Sequence, residues 1–184
     1  MKLYILLAGF LLSSTGLAAQ EWSALQNDQS IQFTARYDDV AFNGVFKRYT
    51  STISINPQEM EGSYIRSVID VTSVDTNSHD RDQALAESDW FNFSSFPKAT
   101  FNSTKIAYIK TDHYHVTGIL KIRDQEKQIS FPLEWRIRDD NHAHAYAQFE
   151  LDRRDFDIGL GEWAQDETIG FNVNVVISID YRIK

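Results

Sequence analysis

The alternation of apolar and polar residues near the end of the chain constrains the fold more than any other feature. From Ile169 to Tyr181 every odd-numbered position is apolar or aromatic, whereas nearly all the even-numbered positions from 172 to 182 are polar. A repeat of two places these residues on one face of a β-strand, whereas a helix would scatter them around its surface. The segment therefore predicts a long strand with one apolar face, and the chain is expected to be all-β.

The same alternation recurs along the rest of the chain. It is clearest in three segments: 114–122, 129–137 and 143–151. The short polar connections at 124–126 and 139–141 predict tight hairpins between them, and hence an antiparallel meander. Shorter alternating runs bring the expected total to about eight strands: 31–37, 42–55 with a break near Lys47-Arg48, 64–71 and 100–109. The single predicted helix is 78–87, with Ser78 as its cap and acidic residues in its first turn.

Eight strands with one polar face must either pack as two sheets or close into a barrel. Closure leaves no exposed edges, and the interior of an eight-stranded barrel has room for one small ligand. The inward row Ala143, Ala145 and Ala147, beside the bulky Phe131 and Trp135, favours a lumen over a solid core. The predicted fold is an eight-stranded antiparallel barrel of lipocalin-like shape with one short helix. A sandwich with a filled core, in which the alanines accommodate large neighbours, stays open.

The first residues have the pattern of a secretory signal peptide. Lys2 precedes an apolar run over 3–12, and small residues follow, ending in Leu17-Ala18-Ala19. The run is too short for a bilayer span of about 20 residues. We expect residues 1–19 to be removed, with cleavage after Ala18 or Ala19, and 20–184 to form one domain. No second apolar run of spanning length follows, so no integral membrane segment is expected in the mature chain.

Composition excludes several classes of function. The chain has no cysteine, which removes disulfides, thiol nucleophiles and thiolate metal sites. The formal net charge of the 184 residues is -8. A protein that binds nucleic acid must neutralise phosphates with clustered lysine and arginine, so nucleic acid is not an expected partner.

An ordered set of short motifs along the mature chain resembles the YceI-like family. The motifs are Ser30-Ile31-Gln32-Phe33, Asn43-Gly44-Val45-Phe46, Ile69-Asp70-Val71-Thr72-Ser73-Val74-Asp75-Thr76, Arg81-Asp82, Ser88-Asp89-Trp90-Phe91, Phe96-Pro97-Lys98-Ala99-Thr100-Phe101, Thr117-Gly118-Ile119-Leu120 and Leu151-Asp152-Arg153-Arg154-Asp155-Phe156. The resemblance implies an exported, periplasmic barrel that binds or transports a polyisoprenoid or similar long amphiphile. It implies no catalytic residue, no metal and no cofactor other than the bound lipid. A homodimer stays open as a further partner arrangement.

The expected ligand-binding residues are the inward aromatic and small positions of the strands, together with an aromatic cluster after the helix that could form a mouth or lid. They are Phe33, Tyr37, Phe46, Trp90, Phe91, Phe93, Leu133, Trp135, Ala145, Ala147, Phe149, Phe171 and Val173. Where the resembled family has a more basic stretch, this chain has Asp38-Asp39. We therefore expect a neutral ligand, such as a quinone, in preference to a phosphorylated one.

Residues of two other kinds of site, a metal site and a hydrolase site, are present in the sequence. The pairs His113/His115 and His142/His144 could ligate a metal, but strand parity predicts that all four face outward on strands too far apart for joint coordination. A hydrolase could draw paired carboxylates from Asp152, Asp155 and Asp157, or from Glu162, Asp166 and Glu167. We expect Arg153, Arg154 and Asp155 to form ion pairs that hold a turn at the barrel rim.

Overall fold

The structure, a computed structural model, describes residues 20–28, 30–38, 40–165 and 168–184. The signal-peptide prediction for 1–19 and the predicted role of Asp39 lie outside these residues, as do Asp166 and Glu167. The strands are β1 (Glu21–Ala24), β2 (Ile31–Tyr37), β3 (Val40–Phe46), β4 (Tyr49–Ser54), β5 (Tyr64–Asp70), β6 (Val74–Asp75), β7 (Lys98–Lys110), β8 (His113–Ile122), β9 (Gln125–Ile137), β10 (His142–Asp152) and β11 (Asn172–Ile183). The helix α1 is His79–Ala86, and three-residue to four-residue 3-10 turns lie at Val71–Ser73, Arg153–Phe156 and Gly161–Ala164.

The strands form one closed antiparallel barrel with eight positions around it. Three of these positions are each shared by two strands that follow one another along the chain: β1 with β2, β3 with β4, and β5 with β6. The long strands β7 to β11 occupy the other five positions, each beside its neighbour in sequence. The predicted all-β barrel is therefore confirmed, and the alternative of two packed sheets is wrong.

The barrel closes along β11, which has two partners on the same side. Residues 174–177 of β11 pair with β2, and residues 181–183 pair with β1. The strand β1 also pairs with β4, so four residues complete the sheet at this end of the barrel. Closure removes the unpaired backbone groups that an open edge would expose.

Most predicted elements are present, with small differences at their ends. The break near Lys47-Arg48 separates β3 from β4, as predicted. Sequence reasoning missed β1, because four residues are too few to display an alternation.

Ser78 precedes α1 as predicted but makes no capping hydrogen bond through its hydroxyl. Pro132 is exposed on β9, at a point where β9 pairs with β8 alone, because the pairing of β9 with β10 covers only residues 133–137.

The parity of the long strands agrees with the prediction. On β10 the side chains of Ala143, Ala145 and Ala147 are buried, whereas His142, Tyr146 and Gln148 are exposed. Buried residues from all the long strands form one apolar cluster inside the barrel. No helix within the described ranges has the length and apolar character that crossing a membrane requires.

Candidate functional site

A cavity of about 210 Å³ lies inside the barrel. Its walls consist of inward-facing side chains from the strands and of a few residues that cover one end. Strand residues that line it include Phe33, Phe42, Phe46, Phe101, Leu120, Phe131, Leu133, Ala145, Ala147, Phe149, Val173, Val175 and Ile177. Among the described lining residues, polar side-chain atoms come from Ser51, Ser67, Trp90, Arg153 and Tyr181. Such a wall favours the hydrocarbon part of a ligand.

Packed aromatic rings close the end of the barrel at which β1 completes the sheet. Trp22 of β1 is 2% exposed and meets Trp135 of β9 edge-on, with ring centroids 5.7 Å apart. Trp135 meets Tyr181 of β11 in the same manner at 5.3 Å. Edge-on aromatic contacts of this kind add to the stability that burial of the rings provides. The cavity therefore ends at Tyr181.

Two segments cover the opposite end, and together we call them the cover. The first runs from α1 through residue 97, and the second is 153–164. They contribute the lining residues Leu85, Trp90, Phe91, Arg153, Phe156 and Ile158. The predicted lid around Trp90 is thus half of a two-part structure, and sequence reasoning missed the apolar residues of the second part.

Direct contacts join the two segments of the cover. The backbone N–H groups of Gly159 and Leu160 donate to the carbonyl of Asp89 at 2.8 and 2.9 Å. The side chain of Arg123, in the turn between β8 and β9, donates from Nη1 to the carbonyl of Trp90 at 2.7 Å and to that of Asp157. These hydrogen bonds join the two segments of the cover to each other, and those from Arg123 join the cover to the barrel wall.

Arg153 holds the second segment in place. Its side chain is buried, with 3% of the residue exposed, and all three guanidinium nitrogens donate to backbone carbonyls. Nε donates to Gly170 at 3.1 Å, Nη1 to Ile158 and Gly159 at 2.8 and 3.0 Å, and Nη2 to Trp163, Gln165 and Ile169 at 2.6, 3.2 and 2.9 Å. A guanidinium has five N–H donors, so these acceptors occupy its full capacity. Within the described residues Arg153 therefore binds backbone carbonyls, a role that the sequence did not predict.

Comparison with known proteins identifies the family of this barrel. The sequence profile of the YceI-like domain matches residues 22–181, which is nearly all of the described chain. The chain belongs to the YceI-like family. Protein YceI of Salmonella newport (strain SL254) is 24% identical to it over 184 residues, covering 95% of this chain and 93% of that protein.

Solved structures share the fold of this YceI-like protein. BcnA of Burkholderia cenocepacia superposes with a TM-score of 0.77 at 23% identity, covering 86% of this chain and 95% of BcnA. A polyisoprenoid binding domain from Saccharophagus degradans, implicated in plant cell wall breakdown, superposes with a TM-score of 0.71 at 15% identity. That alignment covers 89% of this chain and 98% of the domain.

The YceI-like barrel brings nine of the thirteen predicted ligand-binding residues to the cavity wall. They are Phe33, Phe46, Trp90, Phe91, Leu133, Ala145, Ala147, Phe149 and Val173. Phe33 has room there because Gly44, its partner in the register between β2 and β3, has no side chain beneath the ring. On long strands, parity was enough to place a residue at the wall.

The other four predicted residues do not line the cavity. Tyr37 is 47% exposed at the end of β2. Trp135 points into the barrel, but its ring packs in the aromatic stack that closes the end and does not line the cavity. Phe93 packs behind Phe91, with ring centroids 6.2 Å apart. Phe171 precedes the start of β11, and the centroid of its ring lies 3.8 Å from the Arg154 guanidinium carbon.

Sequence reasoning also missed lining residues on the short strands. Ser51 of β4 and Ser67 of β5 face the cavity, and the same parity rule applied to those strands identifies both. Nothing in the local sequence distinguishes Arg153 from its exposed neighbour Arg154, because their environments depend on how the 153–164 segment folds back.

The three carboxylates of the first candidate hydrolase group, Asp152, Asp155 and Asp157, form ion pairs or hydrogen bonds with neighbouring side chains. The Arg154 guanidinium donates to Asp152 and keeps the pKa of that carboxyl below its usual range, which suits an ionised partner and not a general acid. Asp157 accepts from Gln125 Nε2 at 2.7 Å, and Asp155 lies 3.6 Å from Lys127 Nζ. The second candidate group falls partly outside the described residues.

The four histidines that could ligate a metal lie on β8 and β10, the two strands that flank β9, as the predicted meander requires. His115 and His142 are exposed, and His144 Nδ1 lies 2.8 Å from Asp180 Oδ1. Within the part of the chain that the structure describes, no group of three metal-ligating side chains comes together.

Proposed function

We propose that this YceI-like protein is a carrier, without catalytic activity, that holds a long-chain isoprenoid or similar amphiphilic lipid in the barrel cavity. The observation that carries the proposal is the apolar cavity between the aromatic stack and the cover. Burying one methylene group contributes about 0.8 kcal/mol, so a five-carbon isoprene unit contributes about 3–4 kcal/mol before ordering costs. The shared fold with a polyisoprenoid binding domain supports the same ligand class.

We further propose that the preferred ligand carries a neutral head group, as a quinone does. Arg153 is the one strongly basic side chain among the described lining residues, and backbone carbonyls already occupy its donors. A phosphate in the cavity would therefore find no basic side chain with N–H donors available to it, and burying a charge without hydrogen-bond partners is unfavourable.

Titration with two ligands of equal tail length tests this preference. A polyprenyl quinone is expected to bind at least about tenfold more tightly than the polyprenyl phosphate, a difference of about 1.4 kcal/mol or more. Equal affinities, or tighter binding of the phosphate, would contradict the neutral-ligand proposal. Mass spectrometry of lipids extracted from protein purified from its own cell envelope identifies the natural occupant independently.

We propose in addition that the protein acts in the periplasm after removal of its signal peptide. A lipid tail that is insoluble in water needs shielding to cross an aqueous compartment, and the cavity provides that shielding. Mass spectrometry of protein recovered from the periplasmic fraction is expected to give a chain that begins at Ala19 or Gln20. Recovery of the intact 184-residue chain from the cytoplasm alone would contradict export.

A further inference from the structure

Three hydroxyl groups interrupt the apolar wall near the closed end of the cavity. Ser51 of β4 and Ser67 of β5 are register partners, and their Oγ atoms lie 2.7 Å apart. Tyr181 of β11 donates its hydroxyl proton to Ser51 Oγ at 2.8 Å. Tyr181 is 2% exposed and Ser51 is 5% exposed, and all three residues line the cavity. We call them the hydroxyl triad.

The hydroxyl triad has one more proton than the hydrogen bonds within it use. Three hydroxyls carry three protons, and burial raises the pKa of Tyr181, so this residue keeps its own. One proton passes from Tyr181 to Ser51, and a second lies between Ser51 and Ser67, whichever of the two donates. Among the described residues, the third proton has no bonded acceptor. A hydroxyl donor in hydrocarbon surroundings is costly to leave without a partner.

We propose that the triad is a hydrogen-bonding site for an uncharged acceptor oxygen of the bound lipid, such as a quinone carbonyl. This inference rests on the proposed lipid-binding function and adds the orientation of the ligand. The oxygen-bearing end lies against Ser51 and Ser67 at the closed end, and the hydrocarbon tail runs toward the cover. A carbonyl fits because it accepts the spare proton and brings neither a charge nor a proton of its own.

The proton count makes a specific prediction for variants. Tyr181→Phe leaves two serines with two protons, one of them spare, so the site persists. Ser67→Ala leaves Tyr181 and Ser51, again with one spare proton. The triple variant Ser51→Ala/Ser67→Ala/Tyr181→Phe removes every donor and every acceptor together and leaves apolar groups of similar shape, a change that stability commonly tolerates.

The test compares a quinone whose tail has six isoprene units with squalene, a hydrocarbon of six isoprene units that has no oxygen. Each competes for the wild-type protein against a bound fluorescent fatty probe. One net hydrogen bond predicts about fivefold to tenfold tighter binding of the quinone to the wild type. The triple variant is expected to bind both with nearly equal affinity, because it has lost the donor that distinguishes the quinone from the hydrocarbon. The two single variants are expected to retain the preference for the quinone.

A matched control is Ser54→Ala, which removes a buried serine of the same strand that does not line the cavity. It is expected to leave the preference unchanged. Infrared spectroscopy of the quinone bound to the wild type needs no variant: the carbonyl band is expected to shift to lower frequency. An unshifted band, or equal binding of both probes by the wild type, overturns the site while lipid binding stands. Failure of both probes to bind overturns the proposed function as well.

Discussion

Replacement of Arg153 by methionine is expected to lower the free energy of unfolding by at least about 3 kcal/mol. The change removes the donors to six buried or partly buried carbonyls, and each unsatisfied buried acceptor costs about 1–3 kcal/mol. For a chain of this size, 1 kcal/mol corresponds to about 2–4 °C in Tm, so a decrease of about 6–12 °C is expected. Thermal unfolding followed by circular dichroism measures it.

The neighbouring residue offers a matched control for this variant. Arg154 is more than half exposed at its side chain, and it pairs with Asp152 on the surface. Exposed ion pairs contribute about 0–1 kcal/mol, so Arg154→Met is expected to lower Tm by no more than about 4 °C. Equal decreases for the two variants would show that the carbonyl contacts of Arg153 contribute little. Arg153→Met is also expected to retain lipid less well, because Arg153 holds one segment of the cover.

Replacement of Ala145 by leucine is expected to weaken lipid binding by about 50-fold without unfolding the barrel. Ala145 is buried at the cavity wall, and its register partners are Trp135 and Ile179. The added three carbons take space that the lipid would fill. The loss of about three methylene-sized contacts corresponds to about 2.4 kcal/mol, or about 50-fold in Kd.

The measurement pairs lipid titration with thermal unfolding. A solid core would respond to Ala145→Leu as overpacking, at a cost of about 1–3 kcal/mol and a Tm decrease of about 2–8 °C. In the cavity, Tm is expected to change by less than about 2 °C. Ala107→Leu is the matched control, because Ala107 pairs with the exposed His115 on the outer face. Full lipid binding by a folded Ala145→Leu variant would refute the placement of the ligand beside β10.

The long strands were predictable from the sequence because each of them records its two faces in its own residues. On β10 and β11 the alternation extends over about ten residues, and it placed Ala145, Ala147 and Val173 at the cavity wall. The alternation is a poor guide where a strand is short, or where the apolar pattern continues beyond the end of the strand, as it does at 169–171. For this reason β1 was missed, and Phe171, which precedes β11, was assigned to the wrong surroundings.

The alternation did not predict which inward side chains line the cavity and which fill the closed end of the barrel. Parity directs both Trp135 and Leu133 into the barrel, but Trp135 fills the closed end and Leu133 lines the cavity. What separates them is the position of Trp22, a residue of the strand that sequence reasoning missed. Whether a buried ring lines the cavity or fills the end of the barrel depends on which residues lie opposite it in the barrel.

The sequence by itself determined the all-β class, the order of the long strands, the break at Lys47-Arg48 and the faces that point inward. Each of these follows from preferences within a dozen neighbouring residues. The tertiary structure alone decided the closure through β1, the burial of Arg153 and the hydroxyl triad. Tyr181 and Ser51 are 130 residues apart, and Arg153 binds carbonyls on segments that only the folded cover brings together. Such contacts arise when distant segments share the interior of a closed barrel, and no local pattern of residues records them.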